Sequence, residues 1–410
     1  MAGNKIAKPI LLDETGKEIV EKLHTQNMLL NIMAGAAMEA TTSLKEIQKI
    51  VRSGKASEVY NIGDQIVVPW TDVTTGQKYE CPMDIIAFTT ATLQDGEEVP
   101  AMRLQWHYAT PFGVQFNQYQ AFYYCEEVLK AGTYNVTIGT TWGNNCVSGK
   151  TYQFTLAQDV PAGGQLAGFR GAPDQSPANW KVYSYSRKTA SEPIETVPVS
   201  EGNQGTSLGT LKTGGEGSLN CLQRVAYGYN RWSQSALRQW LNSDKGVGEW
   251  WTPQNNFDRV PDQLATKAGF LTGFDEEFRA VLSSVKVVTA LNTVTDSTAS
   301  NGVEPLETTF DTFYPLSLEQ MNINPQLAGE GDVCDYWRRA SGMTTKMAQY
   351  GTYPQIRTFA IENHTSPQYV RLRSANRGGS YSSWCVGSSG YVGSTNAVYA
   401  LRCAPACDIC

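Results

Sequence analysis

From residue 338 to residue 400 the chain consists of short apolar fragments separated by Ser, Gly, Tyr, Asn and Thr. A stretch of this kind predicts short strands and very long loops. Long loops in compact domains are either functional or disordered. Apolar anchors such as Tyr369, Leu372, Trp384 and Val392 favour ordered loops.

The region before these loops shows helical and strand-like patterns. Apolar residues recur on one face of two predicted helices, at 233–242 and 274–285, and Ser233 is the expected N-cap of the first. A strand is predicted at 285–294. Helices followed by short strands and long loops indicate an α+β domain, which we place at residues 216–410.

Upstream, residues 57–215 predict a β-rich module, because the apolar period changes to two at about residue 60. Its end, at 198–219, is rich in Gly, Ser and Thr and is predicted to be a linker or long loop. Whether 57–90 instead belongs to the C-terminal domain, with 91–210 inserted, stays open at this stage. The predicted strands are 64–69, 78–88, 134–138 and 152–156, with a turn at Thr75-Gly76.

The first 56 residues predict a short helical segment for attachment or oligomerisation. One helix is expected at 17–35, where an apolar spacing is compatible with either a short coiled coil or packing on its own domain. A second helix has clear boundaries, because Ser43 and Glu46 form an S-x-x-E capping box and Gly54 is a stop signal.

Composition excludes several functional classes. A net charge of −6 argues against a general nucleic-acid binder, which would carry a basic surplus. The chain has only three His, which disfavours an enzyme with a His-based metal site or a catalytic triad. We expect no membrane span, because no apolar run of membrane length occurs. The N-terminus lacks the pattern of a signal peptide, which predicts synthesis in the cytoplasm without one.

The nine Cys are expected to be mostly free, buried thiols, since a reducing cytoplasm disfavours disulfides. The spacing of Cys403, Cys407 and Cys410 lacks the paired motif of a zinc site. A calcium-dependent sugar site is not expected either, because Asp408 is the only carboxylate side chain between 370 and 410. We therefore predict no cofactor and no metal.

The C-terminal segment carries two further signals. From Asn376 to Cys403, 16 of 28 residues are Ser, Gly, Tyr or Asn, the composition of antibody binding loops. From Tyr369 to Cys410 there is no Lys, Glu, Gln or Met. Mutating both adenines of an AAC codon yields NNC codons, which encode none of these four residues and no Trp. Trp384 would then be scaffold, although a Ser- and Gly-rich surface loop with chance depletion gives the same pattern.

The segment that starts at Leu372-Arg373-Ser374 and ends at Pro405-Ala406-Cys407 resembles the variable region of proteins diversified by diversity-generating retroelements, in the phage and gut-bacterial branch. Ser388-Ser389-Gly390 also matches the framework, and upstream stretches at 227–244 and 313–321 are similar to the same family. The N-terminal half resembles the leader of similar gut-phage proteins more loosely. Ala375 replaces the usual Pro, and Arg402-Cys403 replace a small or apolar pair, so the variable set has an uncertain limit near 400–403.

The resemblance implies a hypervariable region at 373–403 and two classes of residue within it. The residues implied to bind ligand are Gly379, Tyr381, Ser382, Cys385, Gly387, Tyr391, Gly393, Ser394, Thr395, Asn396, Val398, Tyr399 and Leu401. The residues implied to be scaffold are Trp384, Val386, Val392 and Pro405. Framework side chains are expected to point inward, while the variable ones, Gly387 and Gly393 included, point outward.

The resemblance further implies a C-type-lectin-like fold and a diversified receptor-binding or adhesion protein. Its expected partner is a host cell-surface protein or glycan, and its expected place is a phage tail or a bacterial surface. A homotrimer would add avidity. Two alternatives remain: a fixed structural virion protein, and an enzyme of the formylglycine-generating type that uses Cys403 and Cys407.

Overall fold

The computed structural model describes residues 22, 43–118, 121–139, 148–167, 179–183, 193–211, 228–254, 258–293, 296, 304–354 and 357–410. The helix predicted at 17–35 lies outside these residues, apart from Lys22. Among the helices of the described residues, none has the length and apolar character needed to cross a membrane.

Short helices and many strands make up the described chain, which is an α+β protein, as predicted. The helices are α1 Leu44–Arg52, α2 Ala56–Val59, α3 Ala236–Leu241 and α4 Glu276–Val281, with 3-10 turns at Trp232–Gln234, Asp262–Ala265 and Phe270–Gly273 and a π-helical turn at Tyr336–Ala340. The strands are β1 Gln65–Asp72, β2 Gln77–Thr92, β3 Glu98–Trp106, β4 Val114–Gln115, β5 Ala121–Tyr124, β6 Gly132–Ile138, β7 Thr151–Leu156, β8 Gln165–Ala167, β9 Asn179–Tyr183, β10 Glu195–Pro198, β11 Ser200–Glu201, β12 Thr206–Leu211, β13 Val285–Ala290, β14 Leu306–Asp311, β15 Val370–Ala375, β16 Ser382–Val386, β17 Val392–Asn396, β18 Ala400–Leu401 and β19 Ala406–Ile409.

Helix α1 begins and ends where its local sequence predicts. The Ser43 side chain accepts from the Glu46 amide and the Glu46 carboxylate accepts from the Ser43 amide, so the capping box is formed. Gly54 follows the helix with a φ of +74°, a conformation that glycine adopts without strain. The helix packs on the main core through Ile47 and Val51. The prediction that all of residues 1–56 form a separate segment is therefore wrong for this helix.

The main core joins the two ends of the described chain. One sheet has the order β1-β2-β3-β19, so the last strand of the described chain pairs with a strand about 300 residues earlier, with Cys407 opposite Leu104. Asp408 in β19 accepts a hydrogen bond from the Arg103 Nε at 3.0 Å and another from the Tyr314 hydroxyl at 2.5 Å. These two hydrogen bonds satisfy the buried carboxylate, which would be costly without a partner.

This pairing corrects the predicted domain boundaries. Residues in β1 to β4, including Trp70, Trp106 and Phe116, share one hydrophobic core with residues from 232 to 410. The predicted border at 215/216 is therefore wrong, and the stretch 57–118 belongs with the C-terminal domain. The period-two pattern could not reveal this, because strands of any sheet alternate in the same way.

A second, smaller core lies between residues 121 and 211. Two four-stranded sheets, in the orders β10-β9-β8-β5 and β11-β7-β6-β12, enclose Val136, Phe154, Leu166 and Val182. The strand β12 pairs in parallel with β6, so the predicted linker at 198–219 is in part a strand. Residues 212–219 of that linker lie outside the described residues. The β-rich module is thus an insertion between β4 and the residues that begin at 228.

The two helices of the C-terminal half begin later than predicted. The N-cap of α3 is Ser235, whose side chain accepts from the Arg238 amide, whereas Ser233 donates its hydroxyl to Glu307. The N-cap of α4 is Asp275. The strand predicted at 285–294 is β13, which pairs with β14.

Candidate ligand-binding face

The C-terminal variable segment is built on a three-stranded antiparallel sheet in the order β15-β16-β17. Val386 pairs with Val392, and Trp384 pairs with Ser394. Trp384, Val386, Val392 and Pro405 are all buried, so these four residues contribute no surface to a ligand. The Trp384 indole donates to the Gln326 side chain at 3.2 Å, which satisfies its N–H inside the protein.

Eight of the predicted ligand-binding residues reach the surface. Tyr391 and Tyr399 are the most exposed, at 48% and 52% of their surface. The remaining six are partly exposed: Tyr381, Gly393, Ser394, Thr395, Asn396 and Leu401. Large, rigid rings beside small polar side chains are suited to contact a ligand at low entropy cost.

The expectation that all variable residues point outward is wrong for five of them. Gly379, Ser382, Cys385, Gly387 and Val398 are buried. The reason for Ser382 and Cys385 is that every residue of β16 is buried, so both faces of this strand are covered and its alternation does not produce a solvent side. Burial raises the pKa of the Cys385 thiol. These five residues cannot contact a ligand directly in this conformation.

Two exposed tyrosines outside the variable segment extend the face. Tyr350 is 54% exposed and Tyr369 is 52% exposed. The Tyr350 ring lies 5.2 Å from the Trp384 ring and 6.3 Å from the Tyr391 ring, measured between centroids. We refer to the four exposed tyrosines, Tyr350, Tyr369, Tyr391 and Tyr399, as the tyrosine face. The Tyr350 and Tyr391 rings are neighbours and the Tyr369 ring lies beside Gly387 near the same turn, whereas Tyr399 lies in the loop after β17.

The position of Tyr350 depends on an unusual backbone. Its φ is +61°, a region that non-glycine residues rarely adopt and that costs energy. The following residues fix it against the hairpin turn of the variable segment: the Tyr353 amide donates to the Gly390 carbonyl at 2.6 Å, and the Val392 amide donates to the Gly351 carbonyl at 2.9 Å. Sequence reasoning missed Tyr350 because nothing local indicates this docking.

Two glycines of the variable segment lie against tyrosine rings. A Cβ atom at Gly387 would lie 3.3 Å from the Tyr369 ring, and one at Gly393 would lie 3.2 Å from the Tyr391 ring. Both distances are shorter than ordinary van der Waals contact, so a side chain at either position would displace the ring. The residue at 387 therefore affects the surface through Tyr369, although it is itself buried.

The Leu-Arg-Ser motif before the variable segment is internal. Leu372 is buried, and the Arg373 guanidinium donates to the carbonyls of Pro315 and Val288. The Ser374 hydroxyl donates to the buried Glu330 carboxylate at 2.7 Å. The motif anchors the sheet to the core and contributes no surface to the face.

The C-terminal cysteines lie in the core. Cys403, Cys407 and Cys410 are free and buried. Burial raises the pKa of Cys403 to about 12 and that of Cys407 above its usual range. Within the described part of the chain, no group of three or more His, Cys, Asp or Glu side chains is placed to hold a metal.

Residues 218–409, slightly less than half of the chain, match a family described as Domain of unknown function (DUF6273). The match begins close to the first residues after the inserted β-rich module and includes the whole three-stranded sheet and the variable segment. No curated protein and no solved structure shows significant similarity to the chain.

Proposed function

We propose that the protein is a diversified ligand-binding protein that attaches to a molecule on a host cell surface through the tyrosine face and the small polar residues between its rings. The observation that carries this proposal is the clustering of exposed tyrosines. All four tyrosines among the large exposed hydrophobic residues of the described chain lie in the short stretch from 350 to 399. Exposed aromatic residues that lie close together, as Tyr350 and Tyr391 do, mark binding sites, because leaving them in water is unfavourable without a partner.

The C-type-lectin-like fold is part of this proposal. Two short helices, a strand-anchored core and long ordered loops on one side are in keeping with it. The buried framework residues separate the face from the core, so the exposed positions can be replaced at little cost to stability.

Diversification by a retroelement is proposed on the resemblance of the variable segment. Each of the exposed positions Tyr391, Ser394, Thr395 and Tyr399 holds a residue that an NNC codon encodes. Because Cys385 and four other implied ligand-binding residues are buried, only the exposed and partly exposed ones touch the ligand in this proposal. The proposed place of the protein is a phage tail or a bacterial surface, and trimerisation there would add avidity to a modest single-site affinity.

The two alternatives differ in what they require. A formylglycine-generating type of enzyme needs a reactive thiol with a lowered pKa, whereas burial raises the pKa of Cys403 to about 12. A fixed structural virion protein would leave the tyrosine face without a ligand.

The proposal is tested by labelling the purified protein and measuring its retention on a panel of bacterial strains from the source habitat by flow cytometry. We expect at least one strain to bind. A Tyr391→Ala/Tyr399→Ala variant should bind about 30-fold or more weakly, because buried aromatic anchors contribute about 2 kcal/mol or more. The matched control is Val247→Ala, which removes another exposed apolar side chain of the same domain, and it should bind as the wild type does. Binding by no strain, or equal binding by the double variant, would contradict the proposal.

A further inference from the structure

Arg371 is an arginine that lies in the core, immediately before the Leu-Arg-Ser motif. It belongs to β15, none of its surface is exposed, and its guanidinium carbon lies 6.0 Å from the centre of the Phe116 ring. In the described residues no carboxylate forms an ion pair with it. An unpaired buried charge is costly, so its hydrogen bonds must supply the compensation.

Those hydrogen bonds all go to the variable segment. The Arg371 Nη1 donates to the Thr395 carbonyl at 3.0 Å and to the Ser383 side chain at 2.9 Å. The Arg371 Nη2 donates to the carbonyls of Asn396 and Tyr399, each at 3.0 Å. One guanidinium therefore joins β16, β17 and the loop that carries the exposed Tyr399. Arginine is suited to this because its donors radiate in a rigid planar fork.

Asn230 makes the same kind of contact with the loop before β16. Its Nδ2 donates to the carbonyls of Gly379 and Ser382 at 2.7 Å and 2.6 Å. Its Oδ1 accepts from Asn292 at 3.0 Å, which orients the amide group. Asn230 is fully buried and lies about 150 residues before the loop it contacts.

We propose that Arg371 and Asn230 are positioning residues that hold the main chain of the variable segment in one conformation whatever side chains it carries. Every residue has a carbonyl oxygen, so contacts to carbonyls survive the replacement of the exposed side chains. Both positioning residues lie outside 373–403, so diversification of that segment leaves them intact. This inference rests on the proposed function for its purpose, but the contacts themselves involve no ligand.

Arg371 remains charged in this setting. Burial lowers its pKa to about 10, which still leaves the guanidinium protonated at neutral pH. Its donors are thus available to the carbonyls under ordinary conditions.

Hydrogen–deuterium exchange, read by mass spectrometry on the intact chain without ligand, tests the proposal. We expect Arg371→Lys to speed exchange about tenfold or more in the peptide 392–401, because hydrogen bonds from a charged donor are lost there. Asn230→Asp should do the same at 376–382, because it replaces a donating NH2 with an accepting oxygen. The matched control is Arg373→Lys, which also alters a buried arginine. Because Arg373 donates to the carbonyls of Val288 and Pro315, this control should speed exchange in 285–290 and 313–321 instead.

A triple variant tests whether the main-chain conformation of the variable segment is independent of its exposed side chains. Ser394→Asn/Thr395→Asp/Tyr399→His changes residues that are exposed or partly exposed, and it removes the Ser394 hydroxyl that accepts from Asn376. Exchange in 392–401 should still stay within about twofold of the wild type. The proposal is overturned if Arg371→Lys and Arg373→Lys speed exchange equally in both regions, or if Arg371→Lys fails to fold while Arg373→Lys folds. It is also overturned if the triple variant loosens the segment as much as Arg371→Lys does. Failure of cell binding in the preceding experiment leaves all these outcomes unaffected.

Discussion

Replacing Asp408 by Ala should destabilise the main core by several kcal/mol, because Asp408 connects the last strand to the N-terminal sheet. Its carboxylate is fully buried and accepts from the Arg103 Nε at 3.0 Å and from the Tyr314 hydroxyl. Arg103 is itself nearly buried, with 11% of its side chain exposed. Removing one partner of a buried pair leaves the other charge uncompensated, which typically costs about 3–5 kcal/mol.

Urea unfolding followed by tryptophan fluorescence measures this cost. Trp70, Trp106 and Trp240 belong to the main core, so their emission reports on the core that Asp408 stabilises. The double variant Arg103→Met/Asp408→Ala should lose less free energy of unfolding than the sum of the two single variants, because it leaves no unpaired charge.

The control is Asp159→Ala, which breaks the exposed ion pair between Asp159 and Lys130 in the inserted module. A pair this exposed contributes little to stability, because water and salt screen it. If Asp408→Ala costs no more than this control, or if the two single changes are additive, the pairing of β19 with β3 does not support the core as described and the reasoning is refuted.

Two further predictions concern buried groups of the same core. Burial tends to raise the pKa of Asp84, but the hydrogen bond from His107 and the charge of Arg357 outweigh it and lower the pKa below its usual value. A depressed pKa in the folded state contributes stability that is present above the unfolded value of about 3.9 and is lost as the pH falls through the folded value. The melting temperature should thus fall more steeply below pH 4 in the wild type than in Asp84→Asn, and equal slopes would contradict this. Cys403 should react with a thiol reagent only after denaturation, since it is 1% exposed; fast modification of the native protein, mapped by mass spectrometry, would show that the core is open.

What the sequence predicted well depends on local interactions. Helix α1 was predictable because its capping box and its terminal glycine lie within a few residues of one another. The strands β6 and β7 alternate apolar and polar residues, which a short window detects. The prediction that Trp384 belongs to the scaffold rested on the genetic code rather than on packing, since no NNC codon encodes Trp.

What the sequence did not predict depends on contacts between distant residues. The domain border was misplaced because β19 and β3 pair across about 300 residues, and no local pattern encodes that partner. Cys385 was expected to face outward because the sequence alone does not reveal that both faces of β16 are covered. Tyr350 was missed because its exposure depends on a positive φ and on docking against a turn about 40 residues later.

The measurement that tests the central claim most directly is the sequence of the DNA just downstream of this gene in its source genome. The account predicts a near copy of the codons for residues 373–410 beside a reverse-transcriptase gene, with adenines wherever the copy differs. The differences should fall on the exposed codons, such as those of Tyr391, Thr395 and Tyr399, and spare those of Trp384 and Val386. A downstream region with neither the copy nor the reverse transcriptase would contradict diversification and leave an ordinary fixed adhesin or structural protein.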